Sequence, residues 1–170
     1  LRHDFSNGYV YSYSDKSLPF HFLLSTFYAG QEGSFLFWTL CSSIIALMLM
    51  TYTSKRKLEP FVMGAYMAVQ SLLLLLLLAK SPFRYVWEMI PNFPANEIPA
   101  DGRGLNPLLQ NFWMVIHPPV LFIGFAAMAA PFSFAVAGLW KREYQQWVAR
   151  AFPWILFANL SLGMGLMLGA

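Results

Sequence analysis

Long stretches without a single charge set the limits on what this chain can fold into. Asp, Glu, Lys and Arg are all missing from 33–54, 60–79, 104–140 and 151–170. A hydrocarbon core of about 30 Å is crossed by about 20 helical residues rising 1.5 Å each. The first, second and fourth stretches therefore suit one crossing apiece. The third is longer, and Pro118-Pro119 divides it into a surface segment and a span over 118–140. The reading is an all-α integral membrane protein with four transmembrane helices and outer-face surface segments. Composition agrees, with 58% apolar and 11% charged residues, where a soluble domain carries about 25% charged. Strands of a membrane barrel would alternate polar and apolar over about 10 residues, and the unbroken run Leu72–Leu78 does not alternate. A signal peptide is equally unsuitable, because the first apolar stretch starts only at Gly33, behind a mostly polar segment.

Basic residues orient the spans. Lys55, Arg56 and Lys57 crowd one short connection, and Lys141, Arg142 and Arg150 another. The far longer segments 1–32 and 80–117 hold only Arg2, Lys16, Lys80, Arg84 and Arg103. Dense Lys and Arg in short loops mark the cytoplasmic side. The expected order is an outer-face loop over 1–32, a helix over 33–54, a cytoplasmic loop over 55–59 and a helix over 60–79. An outer-face loop over 80–117, a helix over 118–140, a cytoplasmic loop over 141–150 and a helix over 151–170 follow. The net charge of +3 thus reports topology and gives no reason to expect nucleic acid as a partner.

Several chemistries are excluded. Cys41 is alone, so the chain has neither a disulfide nor a CxxC pair nor a CxxCH haem-attachment motif. His3, His21 and His117 do not pair at the spacing of a zinc site. No glycine-rich phosphate loop is present. No span carries a buried Asp, Glu, Lys or Arg of the kind that marks an ion or proton path, which argues against a transporter or channel. Gly163, Gly165 and Gly169 read as helix-packing positions. A chain that starts at Leu1 without methionine and stops at Ala170 without interfacial anchors reads as a fragment of a longer membrane protein or a split-gene product.

What chemistry there is gathers on the outer face. Asp101-Gly102 and Asn106-Pro107 are turn signals, and 108–116 reads as an amphipathic segment lying along the membrane, with Leu108, Leu109, Phe112 and Trp113 on one side. His117 then directly precedes Pro118-Pro119. A residue before proline is pushed out of the α region, while proline suits a first helical turn. His117 is therefore expected at the N-terminus of the third span. There the positive end of the helix dipole favours neutral imidazole, the form that binds iron. On the residues alone, a polar anchor or helix cap is the commoner role for such a histidine.

The string from Asp101 to Phe125, DGRGLNPLLQNFWMVIHPPVLFIGF, resembles the motif of the CcmF/NrfE-type cytochrome c haem lyase subunits. So do Tyr9-Val10, Ser14, Leu18-Pro19 and Gly30-Gln-Glu-Gly-Ser34 ahead of Trp38, in the family's order. The resemblance covers nearly the whole chain. It implies that His117 is an axial ligand to the iron of a b-type haem awaiting attachment, and that Pro118 and Pro119 fix its helix start. It further implies that Asp101, Gly102, Arg103, Asn106 and Gln110 shape the preceding loop. A guanidinium also suits a haem propionate, but an intraprotein ion pair is the simpler expectation for Arg103. Glu32 reads as an ordering residue in a Gly-flanked turn, and His21 stands where the family more often has an aromatic residue. The family's tryptophan-rich segment, its second outer histidine ligand and the two histidines of a buried b-type haem belong beyond Ala170. The implied activity is thioether attachment of haem to the CxxCH of apocytochrome c, with no catalytic residue in this segment. The implied partners are a haem chaperone, apocytochrome-handling subunits and membrane lipid. The implied place is a bacterial inner membrane, with the haem-handling loops facing the periplasm. A CcsA-type haem lyase, or a non-catalytic structural or transport subunit of a larger membrane assembly, are the other readings.

Overall fold

A computed structural model describes residues 2–56 and 58–169. Lys57, one of the residues used to orient the chain, lies outside the described residues, as do the two terminal ones. The elements are α1 (Gly8–Tyr13), α2 (Phe20–Ser25), a 3-10 turn over Thr26–Tyr28, α3 (Gln31–Ser54), α4 (Glu59–Ala79) and α5 (Val86–Met89). A second 3-10 turn (Pro107–Leu109), α6 (Phe112–Lys141) and α7 (Trp147–Gly169) complete them. Among the described residues there is no strand, only an antiparallel bridge between Asn7 and Tyr85. Helices α3, α4, α6 and α7 are each long and apolar enough to cross a membrane, so the fold is all-α with four candidate spans.

Three of these helices extend past the uncharged stretches in ways that dipole electrostatics explains, whereas α7 starts at Trp147, ahead of position 151, and takes Arg150 into its first turn against the dipole. Glu32 and Glu59 sit in the first turns of α3 and α4, and Lys141 in the last turn of α6. Carboxylates favour helix N-termini and cations C-termini, so the charges serve as helix ends rather than as boundaries. The third span departs furthest from expectation. It begins at Phe112, ahead of position 118, and holds Pro118, Pro119 and Pro131 inside it. The start signal is Asn111, whose side chain accepts a hydrogen bond from the Trp113 amide at 3.0 Å, as an N-cap does. The 108–116 segment is accordingly not one surface helix. It breaks after the 3-10 turn at Gln110 and Asn111, and its remainder belongs to α6.

The chain forms two compact units, Leu1–Phe37 with Leu76–Ile116 and Trp38–Leu75 with His117–Ala170. In the first, α1 packs on α5. The Gly8 amide donates to the Arg84 carbonyl and the Val86 amide to the Ser6 carbonyl, both at 2.9 Å. Buried Tyr9 accepts the Gly30 amide at 2.9 Å and donates to the Thr26 carbonyl at 3.0 Å. Burial pushes the Tyr9 hydroxyl above its ordinary pKa, so it stays a donor.

The second unit consists of long helices and the turns that join them. Tyr66, fully buried, has its hydroxyl 3.1 Å from the carbonyl oxygens of both Ser42 and Ala126, which share its one proton, and so links α4 to α3 and α6. Along α6 and α7 small residues meet large ones in antiparallel register. Gly124 faces Leu162, Gly165 faces Leu121, and Gly138 faces Trp147. Small residues let apolar helices approach closely where no hydrophobic force drives them together. The outward faces stay apolar, with Leu47 63%, Leu75 60%, Leu78 79% and Met167 82% exposed. Apolar exposure on that scale suits hydrocarbon, not water.

Candidate functional site

The sequence-defined site residues fall into both units. The loop residues lie in the first. Asp101 accepts the Lys16 amide at 3.0 Å and the Gly102 amide at 2.8 Å, and these bonds hold its carboxyl below the usual carboxylate range. The Arg103 amide donates to the Tyr11 carbonyl at 2.7 Å, and the Gly104 amide to that of Ser14 at 3.2 Å. The loop therefore runs against the end of α1. Position 102 tolerates nothing larger than glycine there, because a Cβ would collide with the Ser14 carbonyl oxygen. Gly104 has φ +82, a left-handed conformation that glycine adopts without penalty. Asn106 accepts the Leu108 amide at 3.0 Å and starts the second 3-10 turn, and the Gln110 side chain donates to the Leu105 carbonyl at 2.9 Å.

Arg103 does not make the expected ion pair. Its guanidinium stands 5.4 Å from the centre of the Tyr11 ring, within reach of a cation–π attraction. The ion pairs among the described residues lie elsewhere, where Glu143 meets Lys141 at 3.0 Å and Arg150 at 2.5 Å.

His117, Pro118 and Pro119 lie in the second unit, and not at a helix start. With α6 beginning at Phe112, His117 is in its second turn. The dipole argument loses its force, since that field falls off within the first turn, and a capping role goes with it because Asn111 is the cap. The half-buried ring instead packs on Gly169 of α7, where a Cβ would stand 2.5 Å from Nδ1. Nδ1 is buried and has no hydrogen-bond partner among the described residues. Of the two ring nitrogens, Nδ1 is the one that lies nearest Gly169. A haem takes its axial ligands singly, one to each face of the iron, so one imidazole nitrogen is a fitting contribution. The usual orienting partner of a ligating histidine is an acceptor for its other ring nitrogen. Among the described residues Nδ1 of His117 has no such acceptor.

Three residues that matter at this site escape a motif reading. Asn111 carries a recognisable signal, an N-cap type before an apolar run, but Pro118-Pro119 overrode it. Gly169 is legible only as a packing glycine. Tyr28 gives no sequence signal at all, yet its hydroxyl donates to the Val115 carbonyl at 2.6 Å.

A family model described as Cytochrome C assembly protein matches residues 28–170. The chain belongs to that family. It is 34% identical over 98% of its length to the cytochrome c-type biogenesis protein CcmF of Pseudomonas fluorescens. Identity to CcmF of Escherichia coli is 31%, again over 98% of the chain, covering 25% of the relative in both cases. The cytochrome c-type biogenesis protein NrfE of Haemophilus influenzae is 32% identical over 98% of the chain and 26% of its own length. The chain thus spans about a quarter of the length of these curated relatives. No solved structure matches it. The likeness to CcmF and NrfE accords with the resemblance carried by the Asp101–Phe125 string.

Proposed function

We propose that this segment forms part of a cytochrome c haem lyase and gives the haem substrate one axial ligand, Nε2 of His117. The observation that carries the reading is the placement of that ring. A buried nitrogen without a partner costs about 1–3 kcal/mol, and Nδ1 of His117 bears that cost against Gly169.

Helix length supports a position at the membrane boundary. At 1.5 Å per residue His117 stands roughly 36 Å along α6 from Lys141, slightly more than a hydrocarbon core of about 30 Å. With Lys55, Arg56, Lys141, Arg142 and Arg150 on the cytoplasmic side, His117 lies on the outer one, where apocytochromes are handled. The proposed setting is a bacterial inner membrane, with the haem-handling loops facing the periplasm.

In the proposed reaction each cysteine S–H of an apocytochrome CxxCH adds across a haem vinyl group. Sulfur bonds to the carbon nearer the ring, hydrogen goes to the outer carbon, and nothing leaves. The segment's own residues supply orientation, the proximity effect that makes an addition effectively unimolecular. None of them is assigned as acid, base or nucleophile. The proposed partners are apocytochrome c, a haem chaperone and the subunits that handle the apocytochrome.

The test uses the full-length protein. His117→Gln keeps a polar side chain of similar reach but binds iron poorly. We expect folded, membrane-inserted protein with a sharp loss of mature cytochrome c. Wild-type maturation in this variant would remove the ligand assignment.

A further inference from the structure

Helix α6 has an unusual start. Pro118 and Pro119 lie in its second and third turns, where proline deprives the carbonyl four residues earlier of its donor and destabilises the helix by about 3 kcal/mol or more. For Pro119 that carbonyl belongs to Val115. Its oxygen is not left bare, because Tyr28 donates to it at 2.6 Å, the shortest kind of neutral O–H···O bond. Tyr28 is well placed to do so. Its own carbonyl accepts the Ser34 hydroxyl at 2.9 Å, and its ring lies 5.3 Å from that of Phe37. Both contacts anchor it to the first turns of α3. Burial raises the pKa of its hydroxyl, which keeps the proton on the donor.

Val115 stands two positions before His117 on the same helix. We propose that Tyr28 is a positioning residue for His117: its hydroxyl replaces the backbone donor that Pro119 lacks and fixes the turn from which the imidazole projects. The consequence for haem rests on the ligand reading given above, whereas the local geometry does not. Two prolines alone would leave the start of α6 free to unwind. With the tyrosine in place the same prolines become useful, because they free a carbonyl that a side chain from a distant part of the chain can hold.

The chemistry supplies its own control. Replacing Pro119 by alanine restores the N–H, so the tyrosine hydroxyl becomes dispensable. The experiment compares wild type, Tyr28→Phe, Tyr28→Phe/Pro119→Ala and His117→Ala in the full-length lyase, purified with its haem. The readouts are the absorption spectrum and reduction potential of the haem, and deuterium exchange at the Ile116 and His117 amides. Tyr28→Phe should speed that exchange by about tenfold, the effect of one lost hydrogen bond to a part-buried carbonyl. It should also shift the haem spectrum or potential, and the double variant should return both towards wild type. Exchange unchanged in Tyr28→Phe, or unrescued by Pro119→Ala, overturns the proposal. So does a wild-type haem signal in Tyr28→Phe when His117→Ala abolishes it. If instead His117→Ala leaves the haem unaltered, the ligand reading falls. The exchange data then decide by themselves whether Tyr28 holds the turn.

Discussion

Replacing Gly102 with alanine tests how the outer loop is held. The added Cβ would meet the Ser14 carbonyl oxygen and stand 2.9 Å from the Phe5 ring. The first obstacle is backbone and cannot rotate away. Relief requires the loop to move off the end of α1, which stretches the Arg103 bond to Tyr11 and the Gly104 bond to Ser14, at 2.7 and 3.2 Å. Two backbone bonds at about 1 kcal/mol each net give about 2 kcal/mol, and the usual cost of overpacking is about 1–3 kcal/mol. Both routes predict local opening of the loop favoured by roughly 30-fold, since 1.4 kcal/mol is about tenfold. Hydrogen exchange on the full-length protein in lipid nanodiscs should show the Arg103 and Gly104 amides exchanging faster by that factor. The amides around Tyr66, in the other unit, should be unchanged. Gly64→Ala is the control, because nothing lies within 4 Å of the added atom. Exchange at Arg103 and Gly104 within threefold of wild type would refute the steric argument.

Two further predictions concern the opposite connection and the orientation. Lys141 and Arg150 hold the Glu143 carboxyl below its usual range, so its contribution to the α6–α7 turn is present above the unfolded value of about 4.3 and is lost as pH falls through the lower folded value. Protection of the Glu143 amide, which donates to the Gly138 carbonyl at 2.9 Å, should fall on acidification in wild type and be pH-independent in Glu143→Gln; identical acid profiles would remove the ion pair from the account. For topology, single cysteines at Asn96 and Lys55 in a Cys41→Ser background should differ on intact cells. An impermeant thiol reagent should label position 96 and spare 55, and the reverse pattern would invert the assigned orientation.

The spans were legible because membrane helices must be apolar along their whole length, and charge-free stretches such as 60–79 have few other uses. Their ends were less so. Glu32, Glu59 and Lys141 look like boundaries in a charge-based reading, yet each lies inside a helix whose dipole favours it. The start of α6 is hidden for a different reason. The residue before proline avoids the helical region in general, yet α6 runs through Pro118 and Pro119. The Val115 carbonyl, which Pro119 leaves without a backbone donor, is met by Tyr28, and no local pattern encodes a partner 87 positions away. The Asp101–Gln110 loop was recognisable as a string. Its contacts with α1, including the placement of Arg103 over Tyr11 in preference to an ion pair, depend on packing that the string does not contain. His117 stands out by motif, but the packing of its ring on Gly169 is not contained in that string.

Ligand replacement tests the central claim most directly. In the full-length lyase, His117→Gly removes the imidazole and leaves a gap beside Gly169 that free imidazole can enter. If His117 Nε2 binds the iron, the variant should lose the wild-type haem spectrum and most of its cytochrome c maturation. Millimolar imidazole should then restore the spectrum, because the ligand no longer has to be attached to the chain. A His117→Gly protein whose haem spectrum matches wild type without imidazole would contradict the assignment.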